Sequence, residues 1–165
     1  MPRLSLAVLL LVTTFLSACK SKYDEEMPAD FSFVIIASHY DSYDSSKGIY
    51  TKFHTGINSN SQAHIPLSMA KKKAFYQAFC EADFQSFPEY FECFGGGAFP
   101  YLPEELIIYY KGTVQKVTYN PTCDASPLEI IKVKRYKALR SQLKDWIYNQ
   151  KAVKELPDQK DIILL

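Results

Sequence analysis

The side chains in this sequence that could carry metal or nucleophilic chemistry are three histidines and four cysteines. His39 and His54 flank a predicted first hairpin, where they could lie near each other with Asp41 close by. A zinc site needs three or four convergent ligands, so we interpret these histidines as isolated residues on strand faces. The sequence contains neither an H-E-x-x-H motif nor a G-x-S-x-G nucleophile elbow. It therefore predicts no catalytic residue, no metal and no cofactor.

Three of the cysteines, Cys80, Cys93 and Cys123, match neither a C-x-x-C pair nor a zinc-binding spacing. In an oxidising compartment this odd number suggests one disulfide and one buried thiol. A hairpin brings its entry and its exit to the same end of a sheet. We therefore predict a disulfide between Cys93 and Cys123, with Cys80 reduced and buried in a helix. A bond between Cys80 and Cys93 is the alternative if the end of that helix folds back.

The fourth cysteine, Cys19, closes an N-terminal leader. The run from Leu4 to Phe15 is apolar, too short to span a bilayer but typical of the core of a signal peptide. The next four residues, Leu16-Ser17-Ala18-Cys19, resemble the lipobox of bacterial lipoproteins. That resemblance implies cleavage after residue 18, a diacylglyceryl group on Cys19, and an added acyl chain such as palmitate on its new amine. An ordinary cleaved signal, or a short buried helix with a chance cysteine, is the alternative interpretation.

Cleavage at this point leaves 165 − 18 = 147 residues, the size of one domain. Residues 19–30 are polar and are interpreted as a flexible tether. Their Asp24-Glu25-Glu26 segment also resembles the acidic cluster of surface-exposed lipoproteins of Gram-negative bacteria. Residues 31–157 are predicted to form a single domain, and residues 158–165 a C-terminal tail. With 19 basic and 18 acidic residues the chain is near neutral, which argues against nucleic-acid binding.

The elements of this domain follow from residue propensity and hydrophobic period. In chain order they are a strand at 31–38, a turn at 41–48, a strand at 49–54, a helix that begins after Ser68, strands at 104–110 and 113–119, and a helix at 129–149. Ser68 is a favourable N-cap, with Met69, Phe75 and Phe79 predicted to face the core. The Lys111-Gly112 turn pairs Leu106 with Val117 and Ile108 with Gln115. The apolar stripe of the last helix is Ile130, Val133, Tyr136, Leu139, Leu143, Trp146 and Ile147.

Two hairpins, each followed by a helix, predict an α+β class with a two-layer ββαββα domain, the antiparallel hairpins having helices on one face. The chain resembles small uncharacterised ββαββα lipoprotein domains of Gram-negative bacteria. The features that carry this resemblance are the F-S-F opening strand, Leu67-Ser68, the D-F-Q-S-F-P-E helix exit, Lys111-Gly112 and the terminal Leu156-Pro157. The resemblance implies a fold and an envelope location, and it implies no activity.

Two surfaces could recognise a partner. The first is a long loop around three glycines, whose aromatic residues could stack on a glycan or anchor a protein; they are Tyr90, Phe91, Phe94, Phe99 and Tyr101. Packing of these rings back onto the sheet is the alternative. The second is the basic side of the last helix, which could lie on lipid head groups or lipopolysaccharide phosphates or be an ordinary solvated face; its residues are Lys132, Lys134, Arg135, Lys137, Arg140 and Lys144.

The sequence therefore predicts a lipid-anchored protein of the bacterial outer membrane, facing the periplasm or the cell surface. Its expected role is non-catalytic binding or structure, with the membrane and an envelope protein or glycan as partners. The alternative is a small hydrolase-like envelope enzyme with an unrecognised active site. A pocket that holds His, Asp and Ser side chains would favour the enzyme, whereas a flat surface with exposed aromatic residues would favour binding.

Overall fold

The fold is built on a six-stranded antiparallel sheet in the computed structural model, which describes residues 26–37, 41–53, 60–93, 103–122 and 124–157. The strands are β1 (Ser32–Ala37), β2 (Asp41–Asp44), β3 (Ile49–Lys52), β4 (Ser61–His64), β5 (Glu104–Tyr110) and β6 (Thr113–Tyr119). The helices in these ranges are α1 (Met69–Glu81), α2 (Ile130–Tyr148) and α3 (Lys151–Lys154), with a short 3-10 helix at Phe84–Ser86. The spatial order β4-β3-β2-β1-β5-β6 confirms the α+β class.

The first half of the domain has more strands than the sequence predicts. Four strands precede α1, so the described order differs from ββαββα. Residues 41–44, predicted to be part of a turn, form β2 because Tyr43 is fully buried opposite Ile35 of β1. The remaining turn is short, and the Asp44 carboxylate accepts hydrogen bonds from the backbone N–H groups of Ser46 and Lys47. β4 contains only polar residues apart from the buried Ala63. It therefore lacks the alternation of apolar and polar residues by which a strand is recognised in a sequence.

The second hairpin forms as predicted. Lys111 and Gly112 have φ values of 48° and 72°, and the register pairs Leu106 with Val117 and Ile108 with Gln115. The Asp30 carboxylate accepts hydrogen bonds from the N–H groups of Lys111 and Gly112 at 3.1 and 2.6 Å. These bonds, that of Gly112 above all, lower the pKa of Asp30. The turn is therefore held by a residue that lies just before β1.

Both long helices cover the same face of the sheet. Phe33 of β1 contacts Phe75 of α1, and Tyr43 of β2 contacts Trp146 of α2, with 5.7 Å between ring centroids in each pair. Phe33 and Tyr43 share a face because Tyr43 pairs with Ile35, two residues after Phe33. Burying each such ring stabilises the fold by roughly 1.5–3 kcal/mol. The core is therefore an aromatic layer between the sheet and α1 and α2.

The helix starts are confirmed in part. The Ser68 hydroxyl accepts a hydrogen bond from the N–H of Lys71 at 3.2 Å, as expected of an N-cap. The predicted core positions Phe75 and Phe79 are buried. Met69 and Ile130, each the first residue of its helix, are exposed instead. The apolar stripes therefore reach the sheet only after the first turn of each helix.

We call the uncovered face of the sheet the open face. It also carries a row of apolar residues, which are half-buried Val34, Ile36 and Ile107 and exposed Tyr109 and Val114. Val34 pairs with Ile107, and Tyr109 pairs with Val114, across adjacent strands. An antiparallel sheet covered on one side normally shows polar residues on the other, so this apolar row needs an explanation.

Gly48 closes the turn between β2 and β3 at φ +64°, and a Cβ atom there would lie 2.7 Å from the Cα of Pro66. We expect Gly48→Ala to lower the free energy of unfolding by more than about 2 kcal/mol, because strain and a backbone clash add. Gly112 is the matched control, since its φ is +72° but a Cβ atom there meets nothing within 4 Å. Urea unfolding should show a loss of about 1 kcal/mol for Gly112→Ala. Equal losses in the two variants would contradict this account.

Candidate functional site

A pocket lies at one end of the sheet, between α2 and strands β1 to β3. Its interior offers about 10 Å³ to the centres of water-sized molecules, which is about the space that a single water needs. Its polar lining includes Asp41, Tyr50, Lys144 and Tyr148. The Tyr148 hydroxyl donates a hydrogen bond to Oδ2 of Asp41 at 3.1 Å. The pocket therefore has room for little more than a water molecule, and its carboxylate already has a partner.

The tyrosines of this pocket are donors rather than bases. Burial, and after it the charge of Asp41, raises the pKa of both Tyr50 and Tyr148 above the ordinary value for tyrosine. Each phenol therefore keeps its proton at neutral pH. Neither phenol can therefore abstract a proton from a substrate, and the one proton of the Tyr148 hydroxyl is already donated to Asp41.

A buried ion cluster adjoins the pocket. Glu104, the first residue of β5, is only 4% exposed and lies on the covered face with Leu106 and Ile108. Arg140 of α2 pairs with both of its carboxylate oxygens through Nη2 and Nε. The Nζ of Lys144 lies 3.3 Å from Oε1 of the same carboxylate. The cluster therefore fixes the middle of α2 to the start of β5.

Lys144 joins the cluster to the pocket, since it lines the pocket and also pairs with Glu104. Although burial acts to lower it, the hydrogen bond and charge of Glu104 hold the pKa of Arg140 above its ordinary value. Two cations thus face one buried carboxylate in this cluster. Such an arrangement joins α2 to β5. Its charged groups pair with one another and not with an external ligand.

β1 and β3 end at this edge of the sheet, and β2 and β5 begin there. Some residues singled out from the sequence cannot be placed. His39 and His54, interpreted from the sequence as isolated histidines, lie outside the described residues. The loop residues Phe94, Phe99 and Tyr101 also lie outside them, as does Cys19.

Two aromatic residues of the predicted recognition loop, Tyr90 and Phe91, lie in the described part of the chain. Tyr90 is exposed, whereas Phe91 is buried against Tyr119 and Tyr136, with ring centroids 6.0 and 5.3 Å away. The N–H of Phe91 donates to the carbonyl of Thr118 at 3.1 Å, which adds this segment to the edge of β6. Phe91 therefore belongs to the core, and its inclusion in a recognition surface was wrong. The sequence did not indicate the burial of Phe91, because a residue outside a helix or strand belongs to no periodic apolar pattern.

The predicted disulfide remains a prediction, since Cys123 lies outside the described residues. Cys93 forms an isolated antiparallel bridge with Ala125, two residues beyond Cys123. Residues opposite each other in such a bridge have Cα atoms about 4.5–5.5 Å apart, so the backbone at Cys93 lies beside that at Ala125. Cys80 of α1 forms no disulfide and is half-buried, whereas the sequence predicted a buried thiol.

The sequence reasoning missed the cluster around Glu104. An acidic residue two positions before Leu106, on the same strand face, is a signal of a buried carboxylate. Arg140 likewise lies four residues after Tyr136 and three before Leu143, within the apolar stripe of α2. The pattern shows that each polar side chain faces inward, but it cannot show that the two meet across 36 residues.

No family model matches the chain, and no curated protein is found to match it.

None of the helices in the described ranges is long and apolar enough to cross a membrane.

Glu104→Gln is expected to lower the free energy of unfolding by about 2–4 kcal/mol, because Arg140 and Lys144 lose their common counter-charge in a buried setting. The adjacent Glu105 is the matched control, since its carboxylate pairs with Lys116 at 2.7 Å on the surface. Glu105→Gln should change stability by no more than about 1 kcal/mol. Chemical unfolding of both variants measures the difference, and similar losses would contradict a special role for the buried cluster.

Proposed function

We propose that the protein is a lipid-anchored component of the bacterial outer membrane whose domain has a non-catalytic binding or structural role. The support for the anchor is the apolar leader that ends in Leu16-Ser17-Ala18-Cys19. Acyl chains contribute about 0.8 kcal/mol for each buried methylene, so two or three chains give stable attachment. The domain then faces the periplasm or the cell surface.

The open face is the observation that carries the binding role. Its apolar row runs across three adjacent strands, from Ile36 and Val34 on β1 through Ile107 and Tyr109 on β5 to Val114 on β6. A contiguous apolar patch on an exposed sheet indicates an interaction site more than a scatter of single residues does. The ion pair between Lys116 and Glu105 lies on the same face, as expected for the polar rim of a protein interface. We propose an envelope protein as the partner, with Tyr109 as an anchor.

The hydrolase-like alternative would use the pocket around Asp41. That pocket is lined by Asp41 and Ser42 together with phenols and an ammonium group, and its described lining contains no histidine. In addition, Asp41 is bonded to Tyr148, and Lys144 pairs with Glu104. Because these groups serve contacts between α2 and the sheet, we favour the open face as the functional surface.

The anchor is tested by Cys19→Ala, which should move the protein from the membrane fraction to the soluble fraction because it removes the acylated thiol. Cys80→Ala is the control, since Cys80 lies in α1 outside any disulfide, and this substitution should leave partitioning unchanged. Fractionation and the mass of the N-terminal peptide provide the measurements. Membrane retention of Cys19→Ala together with an unmodified wild-type peptide would sink the anchor.

The open face is tested by in-cell cross-linking from a photoreactive residue at position 109. We expect one discrete cross-linked protein, whose recovery falls at least about tenfold when Val114→Ser and Ile107→Ser remove the surrounding apolar contacts. Met69→Ser on α1 is the control, because Met69 and Val114 are each 63% exposed. Unchanged recovery in the open-face variant, or an equal loss in the control, would contradict the proposed surface.

A further inference from the structure

A second exposed apolar cluster lies at the start of α2. Leu128 is 94% exposed and Ile131 is 63% exposed, with Ile130 between them also exposed. These are three of the seven exposed large hydrophobic residues in the part of the chain that the structure describes. They fall within four consecutive positions, so they form a patch rather than a scatter of single exposed residues.

Cations surround this patch on the solvent side of the helix. Lys134 follows Ile130 by four residues and Ile131 by three, and Lys137 follows Ile130 by seven, so all four share one helical face. Both lysines are exposed. Neither has an ion-pair partner among the described residues. We call this surface the 128–137 face.

Of the other basic residues of α2, Lys132 is half-buried and has no ion pair among the described residues, whereas the other three are committed to the fold. Arg135 pairs with Asp83 at 3.4 Å, while Arg140 and Lys144 share Glu104. Only the N-terminal half of the predicted basic side of α2 therefore offers cations to an external ligand. The nearest acid there, Glu129, accepts a hydrogen bond from the backbone N–H of Glu92 at 3.0 Å, so its carboxylate is not directed at the lysines.

Helix stability does not explain these residues. Lys134 and Lys137 lie beyond the first turn of α2, where the helix macrodipole has little effect on a charge, and α2 has no acidic residue in its first turn to pair with them. Exposed leucine and isoleucine side chains gain nothing from water. Both features are explained if the surface is covered by something that is apolar and anionic at once.

We propose that the 128–137 face rests on an anionic bilayer surface. Leu128, Ile130 and Ile131 enter the head-group boundary, and Lys134 and Lys137 contact lipid phosphates. A basic helical face with exposed aliphatic residues has the chemistry of an interfacial helix. The inference rests on the proposed function, because an acyl chain on Cys19 holds the domain beside such a surface. Met27 packs against the core, so the available tether is residues 19–26, which reach at most about 28 Å, about the length of α2 itself.

The test measures vesicle binding by the chain from residue 19 onward, carrying Cys19→Ser so that no acyl group contributes. It retains every residue that the structure describes, since these all lie between positions 26 and 157. We expect co-sedimentation with vesicles of phosphatidylcholine and phosphatidylglycerol, weaker at high salt, and little with phosphatidylcholine alone. The Lys134→Gln and Lys137→Gln double variant should bind about 25-fold more weakly, since each lysine contributes about fivefold near an anionic surface. Leu128→Ser with Ile131→Ser should bind about tenfold more weakly.

Matched controls lie elsewhere on the domain. Val114→Ser removes a side chain with the same 63% exposure as Ile131, and Lys73→Gln with Lys151→Gln removes the same charge. These variants should bind as the unmodified chain does, and circular dichroism melts should show that all variants fold. Equal weakening in the controls, or no binding to anionic vesicles, would overturn the proposal.

A second copy of the chain is the rival occupant. If light scattering shows a dimer that Leu128→Ser and Ile131→Ser dissociate, with vesicle binding unchanged, the lipid assignment is wrong. Because this chain has no acyl group, failure here leaves the anchor at Cys19 untouched. Failure of the anchor is seen separately, in the mass of the N-terminal peptide.

Discussion

The structure depends on an aromatic layer between one face of the sheet and the two long helices. Tyr43 lies fully buried within it, in contact with Phe33 and Trp146, and its hydroxyl donates to the carbonyl of Ile65 at 3.0 Å. That one side chain thus connects β2, β1, α2 and the segment that leads into α1. Edge-to-face ring pairs add about 0.5–1.5 kcal/mol each to the burial of their area. Such a layer fixes the helices on one side of the sheet and leaves the other side to interact with the surroundings.

The parts of the fold that the sequence predicts are those set by local patterns. The Lys111-Gly112 turn determines the register of its hairpin, and the Ser68 cap and the spacing of Phe75 and Phe79 define α1. β2 escaped prediction because a four-residue strand with one buried ring has too few alternations to be distinguished from a turn. The helix starts were placed in the core because period alone does not show where a helix first meets the sheet.

The candidate site was less predictable, for a related reason. The pair of Glu104 with Arg140 is a tertiary contact, and each partner appears in its own segment only as a polar residue in an apolar pattern. A single sequence also does not show which residues of an apolar stripe are exposed to solvent, since Ile130 fits the helical spacing of α2 as well as Val133 does. The structure separates them, because Val133 is buried and Ile130 is not. In the proposed arrangement α2 lies against the bilayer, and the open face, on the other layer, points away from it toward a protein partner.

The position of β1 has a mechanical consequence. It is the first strand in the part of the chain that the structure describes, yet it lies inside the sheet, bonded to β2 on one side and to β5 on the other. Just before it, Asp30 is bonded to the turn between β5 and β6. A pull on the N-terminus therefore loads the Asp30 clamp and two strand ladders together, and no edge strand can peel away first. The end of the chain that would carry tension from a membrane enters the domain at a point that resists being drawn out.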